Sequence, residues 1–204
     1  MKSNAGKRKR APGSIVFVAA LGGSLIFASP TLLDFLQTEE SGKAVVLVVY
    51  KDRLARDEPT VCDGLTKKVT RTPIIPGERW TLEKCERETR AAVVRVQSQL
   101  VKCFRIRPPQ SVFDMGSSHA WNNGAPNTCG SAALKAWNAG QFELGCRRLA
   151  FSDGGRPVWS YVWTGRMLAN GKREMRFVQG LQDRRQRELK VCRQLASYQP
   201  GPAQ

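Results

Sequence analysis

The chain has 204 residues, of which 41% are apolar, so it is long enough for one compact domain with a short appendage but not for a second full domain. Its 33 Lys and Arg residues outnumber its 17 Asp and Glu residues, which gives a formal net charge of +16. Such a charge predicts a polyanionic partner, which could be nucleic acid, anionic lipid or an acidic wall polymer.

The N-terminus joins a cationic stretch to an apolar run. Residues 7–10 (KRKR) precede the uncharged residues 15–29. This order is typical of an export signal whose positive end stays in the cytoplasm. Pro30 follows the run directly, and Ile26 is a poor small residue for a cleavage site ending at Ala28, so we expect inefficient cleavage. The run is also short for a membrane span of ~20 residues.

Six cysteines follow this segment and none lies within it. An even number of cysteines behind an export signal predicts disulfides in an oxidising compartment. Their spacings are too wide for the close pairs of a zinc site, so we expect no metal. Six cysteines allow fifteen pairings, and the sequence leaves the choice open. They are Cys62, Cys85, Cys103, Cys129, Cys146 and Cys192.

The first elements after the leader are a short helix and a hairpin. Residues 31–43 begin with apolar positions and end in a Glu pair, which predicts a helix with Glu39 and Glu40 at its C-terminal end. Residues 44–52 form a β-branched run, and residues 59–66 follow after a polar turn. This pattern predicts a small β-hairpin.

The remainder is helical in pattern. Thr81 is the expected N-cap of a long helix over residues 81–102, which ends before Pro108. Between residues 153 and 171 we expect a loop rich in Gly, Trp and Tyr. The sequence thus predicts an α+β, predominantly α-helical fold. Further helices are predicted over residues 110–121, 131–138, 141–149 and 174–195.

Three motifs carry a resemblance to a known family. Residues 60–66 (TVCDGLT), 118–125 (SHAWNNGA) and 180–192 (GLQDRRQRELKVC) resemble the phage-type lysozymes, glycoside hydrolase family 24. The apolar N-terminus is similar to the signal-anchor-release segment of some endolysins. The resemblance implies a lysozyme-like fold with a small β-hairpin, preceded by a signal-anchor helix. It divides the chain into a leader (1–36), a catalytic domain (37–196) and a flexible tail (197–204).

The resemblance also implies a catalytic triad in the order Glu, Asp, Thr. Glu40 would be the general acid, Asp52 the second carboxylate, and Thr60 the hydroxyl that holds the attacking water. An acid facing a partly apolar cleft can stay protonated while a solvated Asp stays ionised. The expected reaction is hydrolysis, with inversion, of the β-1,4 bond between N-acetylmuramic acid and N-acetylglucosamine, without a metal or cofactor.

The spacing leaves other assignments open. The family's commonest pattern has eight residues between Glu and Asp and five between Asp and Thr. Here eleven residues separate Glu40 from Asp52, and seven separate Asp52 from Thr60. Glu39 is therefore an alternative general acid, although the small turn residues that follow Glu40 favour Glu40. The alternatives for Asp52 are Asp57, Glu58 and Asp63.

Several other side chains are candidates for saccharide or wall binding. We expect Asn122, Gly124, Trp159 and Tyr161 to contact the glycan, although a capping Asn and a turn Gly would also explain the first two. His119 is predicted to pack in a helix and not to act in catalysis. Arg184 and Arg185 could contact the acidic wall, form a solvated face, or pair with acids such as Glu188.

The expected partners follow from this interpretation. They are peptidoglycan as substrate, the host inner membrane through residues 15–36, and a holin acting indirectly. We expect a monomer that does not bind nucleic acid, held at the inner membrane facing the periplasm and then released there. The alternatives are a membrane-anchored, peptidoglycan-binding protein without activity, and a lytic transglycosylase, which needs no second catalytic acid.

Overall fold

The computed structural model describes residues 24–42, 44–52 and 57–194, which form seven α-helices and two β-hairpins. In chain order the elements are α1 (Pro30–Ser41), β1 (Val46–Asp52), β2 (Glu58–Cys62), α2 (Leu82–Leu100), α3 (Gln110–Asn123), α4 (Ala125–Cys129), α5 (Ala132–Asn138), α6 (Phe142–Arg147), β3 (Tyr161–Met167), β4 (Arg173–Phe177) and α7 (Gln179–Cys192). The predicted α+β, mainly helical fold is confirmed.

Helix α3 lies at the centre of the helical body. Nine consecutive residues, 112–120, are buried, so this helix is covered on every side. Helices α1, α2, α4 and α7 all pack against it. A helix enclosed in this way needs small residues where its neighbours come close. Gly116 is one of them, because a Cβ at this position would lie only 3.3 Å from the Trp137 ring.

Helix α1 begins where the sequence changes from an apolar run to a proline. Ser29 caps it by accepting a hydrogen bond from the Leu32 N–H at 3.1 Å, and Pro30 occupies the first turn. Leu32 and Leu36 are buried against Val93 of α2. The expected boundary between leader and catalytic domain, at residues 36 and 37, therefore falls inside one continuous helix.

The remaining leader and tail predictions concern residues that are mostly outside those described. Residues 1–23 and 195–204 are in this group, and they include most of the predicted signal-anchor run and the whole predicted tail. Residues 24–29 are described and form no helix. Among the helices of the described residues, none combines the length and apolar content needed to cross a bilayer.

The first hairpin pairs β1 with β2, and a third segment covers the outer edge of β1. Tyr50 pairs with Thr60 and Asp52 with Glu58 in an antiparallel register. The Trp80 N–H donates to the Leu47 carbonyl at 2.8 Å, which attaches the segment before α2 to β1. Thr81 caps α2 as predicted, accepting from the Lys84 N–H at 3.1 Å. This hairpin was predicted and is confirmed.

The second hairpin was not predicted. Residues 153–171 were expected to be a loop, and residues 174–195 a single helix, but β3 and β4 pair in this region and α7 begins only at Gln179. Met175, which was placed on the helical stripe, lies instead in β4 opposite Trp163. The prediction was wrong because its apolar residues fit a helical period as well as a strand period.

All six cysteines form disulfides, as predicted, and each bridge joins neighbours in the cysteine order. Cys62 pairs with Cys85, Cys103 with Cys129, and Cys146 with Cys192. The first bridge ties the end of β2 to α2, and the third ties α6 to α7. The pairing that the sequence left open is thus the one with no crossed or nested loops.

Candidate active site

Glu40 lies at the end of α1, where a glycine cap ends the helix. Gly42 adopts a left-handed conformation (φ 58°), and its N–H bonds back to the carbonyls of Gln37 and Thr38. The Glu40 side chain is 21% exposed, and its Oε1 accepts a hydrogen bond from Arg184 Nη1 at 2.6 Å. The predicted position of this carboxylate at the helix end is what the structure has.

Glu39 faces a different direction. Its carboxylate is only 5% exposed and accepts two hydrogen bonds from the Arg187 guanidinium, at 2.5 and 2.7 Å. A paired fork of this kind fixes a carboxylate in one orientation. Successive helix positions point in different directions, so these adjacent acids bind different arginines of α7.

Glu40 borders a cleft of about 650 Å³ between the first hairpin and the helices. The cleft is lined by the loop after β2, by the C-terminal part of α2 and by the junction of α3 with α4. Trp121 is half-buried and also lines this cleft. The charged residues of its lining are two bases, Lys68 and Arg95, and two acids, Glu40 and Glu58.

Gly64 allows the close approach of the hairpin to Glu40. A Cβ on this residue would lie 3.1 Å from Glu40 Oε2, and its φ is +77°. Both facts favour glycine, which has no side chain to strain or to clash. The glycine of the TVCDGLT motif therefore shapes the floor beside the carboxylate.

Two acids of the first hairpin face each other next to its turn. Asp52 ends β1, and Glu58 begins β2 as its register partner. Glu58 lines the cleft, but its side chain is only 9% exposed and is ion-paired with Lys68. Asp52 is half-buried and is not among the residues that line the cleft in the described part of the chain.

The charges of Asp52 and Glu40 both act on the Tyr50 hydroxyl. Burial raises the pKa of this hydroxyl, and the negative charges of Asp52 and Glu40 raise this pKa further, because each carboxylate disfavours the phenolate by repulsion. Tyr50 and Asp52 are two residues apart on β1 and therefore share one face of the strand.

Thr60 and the two other alternative acids lie in distinct places. Thr60 is 4% exposed, and its hydroxyl donates to the Glu58 carbonyl at 3.0 Å. Asp57 is exposed in the turn before β2, with φ 58°. Asp63 lines a separate concavity together with residues of α1 and α2, among them Gln37 and Glu86.

The Asn-Gly pair that was predicted to contact glycan lies in the cleft. Asn122 and Gly124 both line it and both are exposed. Gly124 also has φ +85° and donates its N–H to the Ala120 carbonyl at 2.8 Å, which turns the chain from α3 into α4. The structure thus gives Gly124 a turn function in addition to its place in the cleft.

The two aromatic residues that were predicted to bind sugar lie on the second hairpin or next to it. Trp159 packs edge-on against the buried His119, with ring centroids 4.7 Å apart. Tyr161 packs against Phe177 at 5.5 Å. Neither is among the residues that line the cleft in the described part of the chain. Their contact with glycan stays a prediction.

His119 has a packing position, as expected. Its Nδ1 is 2.8 Å from the Thr128 hydroxyl, and the ring is fully buried. Burial lowers the pKa of this imidazole well below its usual range, and the nearby Arg185 and Arg184 charges lower the pKa further. The ring is therefore neutral at physiological pH.

Behind Glu40, charged groups of α7 form a buried network. Arg185 and Glu188 are completely buried, and Arg185 Nη2 donates to Glu188 Oε1 at 2.9 Å. The Ser118 hydroxyl of α3 donates to the same oxygen at 2.7 Å. Arg184 connects this network to Glu40, because its Nε lies 3.6 Å from the same Glu188 oxygen and its Nη1 donates to Glu40 Oε1. The sequence analysis offered the pairing of these arginines with Glu188 as one alternative, and the structure has this pairing. The alternative of a solvated face is wrong, because both arginines are buried.

The profile of the phage lysozyme family matches residues 40–188, which is more than half of the chain. The chain belongs to the phage lysozyme family. This resemblance was predicted from the sequence motifs, and it identifies the chain as a glycoside hydrolase with a peptidoglycan-lysing function.

A curated relative supports this membership. This phage lysozyme is 26% identical over 174 residues to the SAR-endolysin of Enterobacteria phage PA-2, and the match covers 85% of this chain and 91% of that protein.

Two solved structures share the phage lysozyme fold. The endolysin from Escherichia coli O157:H7 phage FAHEc1 has a TM-score of 0.65 at 22% identity, covering 90% of this chain and 100% of that one. The muramidase domain of SpmX from Asticaccaulis excentricus has a TM-score of 0.62 at 16% identity, covering 81% of this chain and 96% of that one.

Within the described residues, no group of three or more His, Cys, Asp or Glu side chains is placed to hold a metal ion.

Proposed function

We propose that this phage lysozyme is an endolysin that hydrolyses the β-1,4 bond between N-acetylmuramic acid and N-acetylglucosamine, with Glu40 as the general acid. The observation that carries this proposal is the position of Glu40. Its carboxylate borders the 650 Å³ cleft at the end of a capped helix, held by Arg184. A positioned acid at the wall of an extended cleft is what protonation of a glycosidic oxygen requires.

Asp52 and Thr60 complete the proposed mechanism. Asp52 would accept a proton from a water molecule that attacks the anomeric carbon from the face opposite Glu40, which inverts its configuration. Thr60 would orient that water through its hydroxyl. The shared influence of Asp52 and Glu40 on Tyr50 supports this role, and the ion pair of Glu58 with Lys68 makes Glu58 a poorer base.

The glycan would lie along the cleft, with Asn122 and Gly124 contacting it at the junction of α3 and α4. Lys68 and Arg95 line the same cleft and suit a polymer that carries acidic groups. No cofactor takes part in this scheme, since acid and base are both protein carboxylates.

We further propose that the protein acts on the outer side of the host inner membrane. Residues 15–29 would direct export and hold the chain at the membrane until it is released into the periplasm, with a holin acting indirectly. The name of the SAR-endolysin relative from phage PA-2 supports this proposal. The three disulfides suit an oxidising compartment. The proposed acting form is a monomer with peptidoglycan as its partner.

The test is digestion of purified bacterial walls by the wild type, Glu40→Gln and the matched control Glu39→Gln, with mass spectrometry of the released muropeptides. We expect reducing-end products from the wild type and from Glu39→Gln, and at least a hundredfold slower release by Glu40→Gln. Anhydro products would assign a lytic transglycosylase. Absence of products from folded wild-type protein would assign a wall-binding protein without activity.

A second pair of variants tests the base. Asp52→Asn should slow release at least a hundredfold, whereas Glu58→Gln should change the rate by less than about tenfold because its charge is already paired with Lys68. The reverse ranking would transfer the base role to Glu58. Circular dichroism of each variant establishes that the fold is retained.

A further inference from the structure

The second hairpin has one apolar face and one polar face. In its antiparallel register Tyr161 lies opposite Phe177, and Trp163 lies opposite Met175. Positions two residues apart on a strand, and positions opposite each other on paired strands, share a face. These four side chains therefore form a continuous patch, which we call the hairpin apolar face.

The hairpin apolar face is open to solvent. Its four side chains are 40–49% exposed, and Met167 and Leu168 toward the tip are 59% and 45% exposed. Tyr161 and Phe177 pack against each other at 5.5 Å. Neither strand contains a buried residue. A contiguous apolar patch of this kind marks an interaction surface.

The hairpin that carries this face is rich in basic residues. Four basic residues and a single acid lie between residues 161 and 177. Arg173 lies over the Trp163 ring at 5.0 Å from its centroid. The acid, Glu174, already accepts a hydrogen bond from the Thr164 hydroxyl at 2.6 Å. The basic residues are Arg166, Lys172, Arg173 and Arg176, and all four are exposed.

We propose that this hairpin docks on the surface of an anionic phospholipid bilayer. Trp and Tyr rings prefer the level of the lipid headgroups, where their apolar bodies and polar edges are both satisfied. Methionine and leucine side chains at the tip would enter the outer part of the acyl region. The surrounding arginines and Lys172 would bind headgroup phosphates, because anionic lipid attracts basic residues close to the membrane.

The charge pattern favours lipid over the other occupants of such a face. A second copy of the chain would place the same arginines opposite each other, and like charges across an interface cost free energy. An acidic wall polymer could stack its sugars on Trp163 and pair with the cations, but it offers no apolar phase for the exposed Met167 and Leu168 side chains. The surface of an anionic bilayer satisfies the apolar and the cationic residues together.

This inference does not depend on the proposed catalytic roles. The hairpin is formed by residues 161–177, whereas Glu40 and the cleft belong to other elements. Docking here would keep the folded enzyme at the membrane by a contact separate from residues 15–29. It would also restrict the enzyme to the layer of wall that lies nearest the bilayer.

The test uses the full chain with vesicles of phosphatidylglycerol and phosphatidylcholine in equal parts. Trp163→Ser with Met175→Ser removes two residues of the face, and Ile75→Ser with Leu82→Ser is the control because those side chains are similarly exposed, at 59% and 50%. We expect the hairpin variant to need about tenfold more lipid for half-maximal sedimentation. The control should match the wild type.

A second measurement locates Trp163 even when another segment also holds the protein on the vesicle. The fluorescence difference between the wild type and Trp163→Phe isolates this indole, and lipids brominated on their acyl chains should quench that difference. No quenching while the protein is bound would overturn the proposal.

The charge contribution has its own variant. Lys172→Gln with Arg173→Gln should weaken binding to anionic vesicles about tenfold and leave the weaker binding to pure phosphatidylcholine unchanged. The matched control is Arg71→Gln with Arg105→Gln, which removes two exposed cations elsewhere. Equal losses for both pairs would indicate general charge attraction and contradict a hairpin site. A dimer in solution that only Trp163→Ser with Met175→Ser dissociates would instead assign the face to a second copy.

Discussion

At the level of single residues, Gly64 determines how much space the Glu40 carboxylate has. Gly64→Ala would put a Cβ 3.1 Å from Glu40 Oε2 and would strain a backbone with φ +77°. Gly77→Ala is a matched control, because its φ is +85° and nothing lies within 4 Å of its Cβ position. Both variants should lose about 1–2 kcal/mol of unfolding free energy, but only Gly64→Ala should lose at least tenfold in wall-lysis rate. Equal rates for the two variants would show that Glu40 tolerates the displacement.

Asp114 is the residue for which we expect a pH effect on stability. It is 2% exposed, and its carboxylate accepts hydrogen bonds from Ser29 and Gln110 at 2.7 and 2.8 Å. Burial raises the pKa of Asp114 to about 6, although both hydrogen bonds oppose this shift. The folded protein therefore holds this proton at pH values where the unfolded chain, with an ordinary Asp pKa of about 3.9, has released it.

Stability should consequently fall as pH rises through that window. Asp114 contributes most below pH 4, and up to about 3 kcal/mol of this contribution is lost between pH 4 and 6. Asp114→Asn cannot titrate, so its unfolding free energy relative to the wild type should increase over the same range. Urea unfolding at several pH values measures this difference. A constant difference from pH 4 to 7 would contradict the shifted pKa.

At the level of elements, the buried charges of α7 attach this helix to the rest of the molecule. Glu188 compensates two arginines and accepts a hydrogen bond from Ser118 of α3. Glu188→Gln should lower the unfolding free energy by about 3–5 kcal/mol, because it leaves Arg185 buried without an opposite charge. The control, Glu143→Gln, breaks an exposed pair with Arg193 and should cost less than about 1 kcal/mol. Urea denaturation compares them, and similar losses would refute the special role of the buried pair.

The elements also show where sequence reasoning succeeds. The capping residue Thr81, the β-branched run of β1 and the Glu pair before Gly42 are local signals, and the structure has the elements they predict. The second hairpin was missed because its exposed aromatic residues, with Gly165 in β3 and Gly171 in the turn, resemble a loop. The burial of Arg184 and Arg185 was equally hard to predict, because it depends on Glu40 and Ser118, which are distant in sequence.

The site itself was predictable only in part. Motif order located Glu40, and the cleft does contain Asn122 and Gly124. The sequence motifs could not show that Lys68 forms an ion pair with Glu58 or that Arg187 forms one with Glu39. Long side chains from separate elements make these contacts. Those pairings reduce the set of acids available for catalysis.

At the level of the whole molecule, residues 26–29 are part of the folded body although they belong to the predicted export run. The Ala28 N–H donates to the buried Gln97 at 2.7 Å, and the Ile26 N–H donates to Gln110 at 2.9 Å. Ser29 bonds to Asp114. A segment held by so many hydrogen bonds cannot be removed without leaving buried polar groups unpaired.

Two truncations test this directly. A chain beginning at residue 24 retains every one of these contacts, whereas a chain beginning at Pro30 loses all of them. We expect the free energy of unfolding of the shorter protein to be about 3 kcal/mol lower than that of the longer one, since each lost hydrogen bond costs roughly 1 kcal/mol. Thermal and urea unfolding of the purified pair provide the comparison. Equal stability would mean that these contacts contribute nothing in solution.

The order of the three disulfides has a consequence for how the chain would oxidise during the proposed export. The first cysteine bonds to the second, the third to the fourth and the fifth to the sixth, at sequence separations of 23, 26 and 46. A chain that crosses a membrane from its N-terminus presents its thiols in that same order. An oxidant that joins each newly arrived thiol to the unpaired one before it would make every bridge correctly. An exported chain would then reach its native pairing without an isomerase to exchange mismatched partners.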